Sequence, residues 1–72
     1  MRDLAQGDEG YDVSVLQALL NLQGGTTVLP HGIFDNHTKL ALMQYQRLRG
    51  VDTPTPGKAG QSTWAALLGE TS

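Results

Sequence analysis

Two runs of the 72-residue chain, HGIFDNHTKLAL at 31–42 and PGKAGQSTWAAL at 56–67, are one motif written twice. They share Gly32 with Gly57, Thr38 with Thr63, Ala41 with Ala66 and Leu42 with Leu67, and an amide recurs as Asn36 and Gln61. A motif repeated in so short a chain is one structural device serving two places. In each copy a glycine stands four residues before the first expected helical residue, where its tolerance of positive φ suits a tight turn. Asp35 is placed to N-cap the helix of the first copy, accepting from the amide of His37 or Thr38. Thr38, three residues on, is placed to reach back toward the cap backbone, a relative of the capping box. Gly60 and Thr63 hold the matching places in the second copy. The device is a turn that launches a helix, and its alanine and leucine pack that helix on a first one.

That first helix is read from DVSVLQALLNLQGG. Val13, Val15, Leu16, Leu19, Leu20 and Leu22 fill about half of a helical wheel, opposite a polar stripe of Ser14, Gln17 and Asn21. Asp12 or a neighbour is the expected cap and Gly24-Gly25 the stop, giving a helix over about 12–23. The loop TTVLPHGIF is expected to be pinned to the core by Val28, Leu29, Ile33 and Phe34. The second helix runs over about 36–49 and buries Thr38, Ala41, Leu42, Tyr45 and Leu48; Gly50 ends it. Pro54 and Pro56 forbid a helix in the next loop. The third helix covers about 61–68, closed by Gly69, and the last three residues, ETS, are expected to fray. Three helices without a convincing strand predict an all-α, small three-helix bundle with two long turn-rich loops, a single domain over 1–72.

A chain of this size buries only about 60% of its unfolded surface, so its core is small. With no cysteine, neither a disulfide nor a thiolate zinc site supplements that core. A net charge of −2, with Lys39, Arg47, Arg49 and Lys58 dispersed, argues against nucleic acid as a partner. No apolar run approaches the roughly 20 residues of a membrane span, and the polar start MRDLAQGDEG does not read as a signal peptide. The piece is therefore expected to be either cytoplasmic or, the favoured reading, excised from a longer exported chain, acting as a monomer without cofactor.

Catalytic readings are poorly supported by spacing. Asp8 and Glu9 are adjacent and diverge, whereas a hydrolytic pair needs one carboxyl in an apolar pocket. Ser62 in GQSTW lacks a nucleophile elbow. His31, Asp35 and His37 straddle a turn and a helix start, with nothing to converge them on a metal. Gln17 and Gln46 follow core residues and are expected to satisfy loop backbone groups, with ligand contact as the alternative. Trp64, the only tryptophan, suits the core, yet with a free face it would stack on a sugar. Leu40 and Met43 leave the buried face of the second helix. They either tuck under the 50–57 loop or form a patch, edged by Lys39 and Arg47, for a companion catalytic domain.

The pattern L-x-x-G-D-x-G-x-D-V-x-x-L-Q-x-x-L-x-x-x-G from Leu4 to Gly24 runs on into G-I-F-x-x-x-T-x-x-A-L-x-x-Y-Q-x-x-x-G-V and G-x-x-G-x-x-T-W-A-A-L. In order and spacing, over nearly the whole chain, it resembles the peptidoglycan-binding domain family that accompanies cell-wall hydrolases. Departures lie in the turns: His31 and Pro56 stand where the family usually has aspartate, and Asp35 where it usually has glycine. The resemblance implies a non-catalytic, three-helix module that targets an attached enzyme to the wall, in the cell envelope or secreted, with a phage or effector origin as a further source. Its ligand would be glycan or stem peptide. The alternative is a protein-interaction or prodomain-like use of the same fold in a phage particle, secretion effector or zymogen. Because Gly60 puts no side-chain acceptor on the amides of the third helix, that end, with Lys58 beside it, is the expected anion site. Gln61, Ser62, Thr63 and Trp64 are the expected ligand contacts there, and His31 and Asn36 those at the first turn. Gly32, Asp35, Thr38, Gly57, Gly60, Gln17 and Gln46 are expected to be structural.

Overall fold

In the computed structural model, which describes residues 2–69, glycines and prolines cut the chain into helices α1 (Tyr11–Gly24), α2 (Asn36–Arg49) and α3 (Gln61–Leu68). These bounds compare with expected spans of 12–23, 36–49 and 61–68. The tail ETS lies outside the described residues. Each helix ends on a left-handed glycine, Gly25, Gly50 or Gly69, a conformation that costs glycine nothing and other residues strain. Among the described residues there is no named strand, only isolated antiparallel bridges between Leu4 and Ala59 and between Glu9 and Ile33.

Those bridges make residues 2–10 a strap across both turns. Gly10 and Phe34 donate to the carbonyls of Gly32 and Asp8, at 2.9 Å each, while Leu4 and Ala59 exchange both backbone bonds at 3.1 and 2.7 Å. Arg2 fastens the near end, pairing with the Asp12 carboxylate and donating to the Glu9 carbonyl at 3.0 Å. Asp12 therefore serves the strap rather than capping α1. The cap is Gly10, which has no side chain to offer. Leu4 of the strap is fully buried and joins Val13, Leu16, Leu20, Val28, Phe34, Ala41, Leu42, Tyr45, Ala59, Trp64 and Leu67 in the core.

Four apolar residues expected inside are outside. Leu22 is 83% exposed, because α1 is apolar on two opposite sides and its Val13–Leu16–Leu20 side faces α2 and α3. Leu29 and Ile33 alternate with inward neighbours. Val28 is drawn in by Asn21, whose side chain donates to its carbonyl at 2.7 Å and accepts its amide at 2.8 Å. Ile33 lies between buried Gly32 and Phe34 in a bridged, extended stretch, where side chains alternate sides. Leu48 is 68% exposed because the buried face of α2 turns toward Gln46, which is 4% exposed. The supposed polar stripe of α1 is correspondingly not a solvent face: Gln17 within it is completely buried.

Candidate functional site

The two buried glutamines explain why the turns repeat. Gln17 Oε1 accepts from the Gly32 amide at 2.9 Å, while its Nε2 donates to the Ile33 carbonyl at 3.0 Å and Thr38 Oγ1 at 2.9 Å. Gln46 does the same one copy later. Its Oε1 accepts from the Gly57 amide at 2.9 Å, and its Nε2 donates to the Lys58 carbonyl at 2.9 Å and Thr63 Oγ1 at 3.0 Å. Each glutamine thus ties one helix to the turn and the helix start that follow it, spending both amide hydrogens. Gly32 and Gly57 take φ of 85° and 91°, the positive values that the turns require. Both are buried, so their amides need the partner that glutamine supplies.

The helix starts differ. Asp35 caps α2, accepting at Oδ1 from the Thr38 amide at 3.0 Å and the Thr38 hydroxyl at 2.9 Å. Thr38 therefore reaches the cap side chain and not, as expected, the cap backbone. These bonds hold the Asp35 carboxyl below the usual aspartate range, with His31 adding a smaller effect. His31 Nδ1 accepts from the Ile33 amide at 3.1 Å, which leaves Nε2, 3.4 Å from Asp35 Oδ2, to carry the proton. His31 is thus engaged in the turn, and among the described residues no three His, Asp or Glu side chains gather around a point where a metal would sit. Asn36 is exposed beside it, at the first residue of α2.

At α3 the cap is Gly60 and no side chain bonds the helix amides. A carboxylate is nonetheless at hand, since a Cβ on Gly60 would stand 4.0 Å from Asp3 Oδ1. Asp3 Oδ2 also lies 3.6 Å from Lys58 Nζ. The strap therefore brings its own negative charge to the end that the sequence left bare, and Lys58 is shared with it. Of the four contacts expected there, Gln61 and Ser62 are exposed, whereas Thr63 is fully buried under Gln46 and Trp64 is 4% exposed. The Trp64 indole donates to the Arg2 carbonyl at 3.1 Å, so its polar edge is used and no face is free to stack on a sugar.

Two adjoining recesses open over this second turn. One, of about 200 Å³, is lined by Asp3, Thr53, Pro54, Thr55, Lys58, Gly60 and Gln61. Its neighbour, of about 220 Å³, shares Thr55 and Lys58 and adds Gln6 and Lys39. Together they place Lys39, Lys58 and Asp3 beside the amides of Gln6 and Gln61 and the hydroxyls of Thr53 and Thr55, on a lining that also includes apolar Ala5, Pro54 and Pro56. The strap residues Asp3 and Gln6 were missed from the sequence, because their place at the site depends on the long-range pairing of Leu4 with Ala59. Leu40 and Met43 do not share a recess. Leu40 borders a hollow of about 230 Å³ with Thr26, Thr27, His37 and Gln44. Met43 is half-buried in another, beside Val51, Thr53 and Pro56.

The fold and the sequence have known counterparts. A crystal structure of a Burkholderia AP3 phage endolysin matches with a TM-score of 0.83 at 31% identity, over 99% of this chain and 26% of that one. The chain thus spans about a quarter of the length of that endolysin. Residues 9–67 match the family described as "Putative peptidoglycan binding domain", a span that takes in α1, α2, both clamped turns and most of α3. With its glutamine clamps, both launching turns and nearly all of the three helices inside that match, the chain belongs to the peptidoglycan-binding domain family.

Proposed function

We propose that residues 1–72 act as one non-catalytic module that holds bacterial cell-wall peptidoglycan in the recesses over the second turn. In a longer, wall-directed chain it would keep an attached hydrolase on its polymer. The observation that carries this reading is the family match over residues 9–67, and the likeness to a phage endolysin supports the hydrolase setting. Gln6, Thr55, Lys58 and Gln61 are the contacts favoured for ligand. Shallow recesses of this kind give weak affinity. Weak affinity is sufficient for a tethered enzyme, because attachment raises its effective concentration at the substrate, often to the millimolar range. Co-sedimentation with purified sacculi tests the reading. The isolated chain should pellet with sacculi and stay in solution without them. Equal recovery in both supernatants would instead favour a protein-interaction role for the fold.

A further inference from the structure

We propose that Lys39 is an anion seat of the second turn, where its ammonium takes a carboxylate of a peptidoglycan stem peptide. The proposal rests on the peptidoglycan-binding reading and names the part of the ligand that meets this recess.

Seven residues before each clamping glutamine stands the group that lies over the following turn. Before Gln17 it is Gly10, whose carbonyl oxygen would be 3.0 Å from a Cβ on Gly32. Before Gln46 it is Lys39, whose Cγ and Cε would be 3.1 and 3.2 Å from a Cβ on Gly57. The next layer corresponds too: Ser14 and Met43, three residues before each glutamine, are 3.9 and 3.4 Å from the same built positions. In the first copy the group lying over the turn glycine is glycine backbone, which carries no charge. A cation is therefore no part of the turn device.

Geometry then says what the lysine is placed to do. Its stem is half-buried and pressed along Gly57, so the chain is already ordered as far as Cε. A lysine pinned in this way gives up less rotamer freedom on binding than a free one. Its side chain borders the recess that also holds Gln6, Thr55 and Lys58. Lys58 has Asp3 at 3.6 Å, whereas no carboxylate lies within 4.0 Å of the Lys39 ammonium among the described residues. Lys39, Lys58 and Asp3 leave the two recesses with one net positive charge on a chain of net charge −2. Stem peptides end in carboxylates, and Gln6 and Thr55 in the same recess can hydrogen-bond a peptide backbone.

The test compares a synthetic pentapeptide, L-Ala-D-Glu-L-Lys-D-Ala-D-Ala, with the same peptide amidated at its terminal and glutamyl carboxyls, in equilibrium titrations of the intact chain. The acid should bind more tightly than the amide. Lys39→Met, which keeps the stem over Gly57, should weaken the acid by about threefold to fivefold, the upper part of the range of an exposed ion pair, and leave the amide unchanged. It should also retain the melting temperature. Equal binding of acid and amide, binding of neither, or a folded Lys39→Met variant with undiminished acid binding would overturn the seat. Sacculus co-sedimentation of the unmodified chain separates the two levels. Retention with any of those outcomes removes only the seat, and loss of retention strikes the peptidoglycan reading itself.

Discussion

Asp35 and Gln46 show how differently single residues are specified. The capping role of Asp35 is local: it depends on the three-residue spacing to Thr38, which the sequence displays. Its consequence for pH has a definite sign. Hydrogen bonds from Thr38 lower the folded carboxyl's pKa, as the Arg2 pair does for Asp12. The stability they contribute is present above the ordinary aspartate value of about 3.9 and is lost as pH falls through the lower folded values. Thermal melts should therefore show the midpoint falling below about pH 4, and Asp35→Asn should flatten part of that fall. A midpoint equally pH-dependent in both proteins would remove Asp35 from the explanation. Gln46 is only half legible. That it serves loop backbone groups follows from its place beside the core, but the identity of Gly57, Lys58 and Thr63 as partners requires the folded chain. Gln46→Leu would strand a buried amide and carbonyl at about 1–3 kcal/mol each, so a loss of about 2–6 kcal/mol is expected in urea denaturation. A domain this small has roughly 4–11 kcal/mol in total, so the loss should be plain.

At the scale of elements, the helices were readable because their signals are short-range. Glycine stops, a cap and apolar spacing all lie within a few residues of the boundaries that they set. Their orientation was less readable. The apolar residues of α1 cover about half of its circumference, and nothing within the helix says that Val13, Leu16 and Leu20, at one edge of that arc, rather than Leu22 at the other, face the core. The strap was the largest omission. Its glycines suggest a loose lead-in, yet Leu4 is fully buried and both turns depend on pairing with residues 4–10. Leu4→Ala should accordingly cost about 2–5 kcal/mol, the range for a buried leucine, as measured by denaturant unfolding. Trp64 reports on the same element, since its indole donates to Arg2 and is covered by the strap. Its emission should shift to the red in a chain lacking residues 1–8. An unshifted spectrum would mean that α2 and α1 alone shield the ring.

For the whole molecule, the repeat acquires a division of labour. The first turn is closed by the Gly10 backbone and its helix by Asp35, leaving no unpaired cation. The second is overlain by a lysine stem and carries recesses with Asp3, Gln6, Thr55, Lys58 and Gln61. One copy is scaffold and the other, by this reading, meets the wall. The difference was partly visible in the sequence, where Gly60 replaces Asp35. Its electrostatic meaning changed on folding, because Asp3 arrives from the far end of the chain and partners Lys58. A soluble muropeptide titrated into isotopically labelled protein, followed by backbone amide shifts, tests this division most directly. Shifts are expected to concentrate at Gln6, Thr55, Lys58 and Gln61, with Thr26, Thr27 and Gln44 unmoved. Shifts confined to that other hollow, or absent altogether at saturating ligand, would contradict a wall-binding second turn.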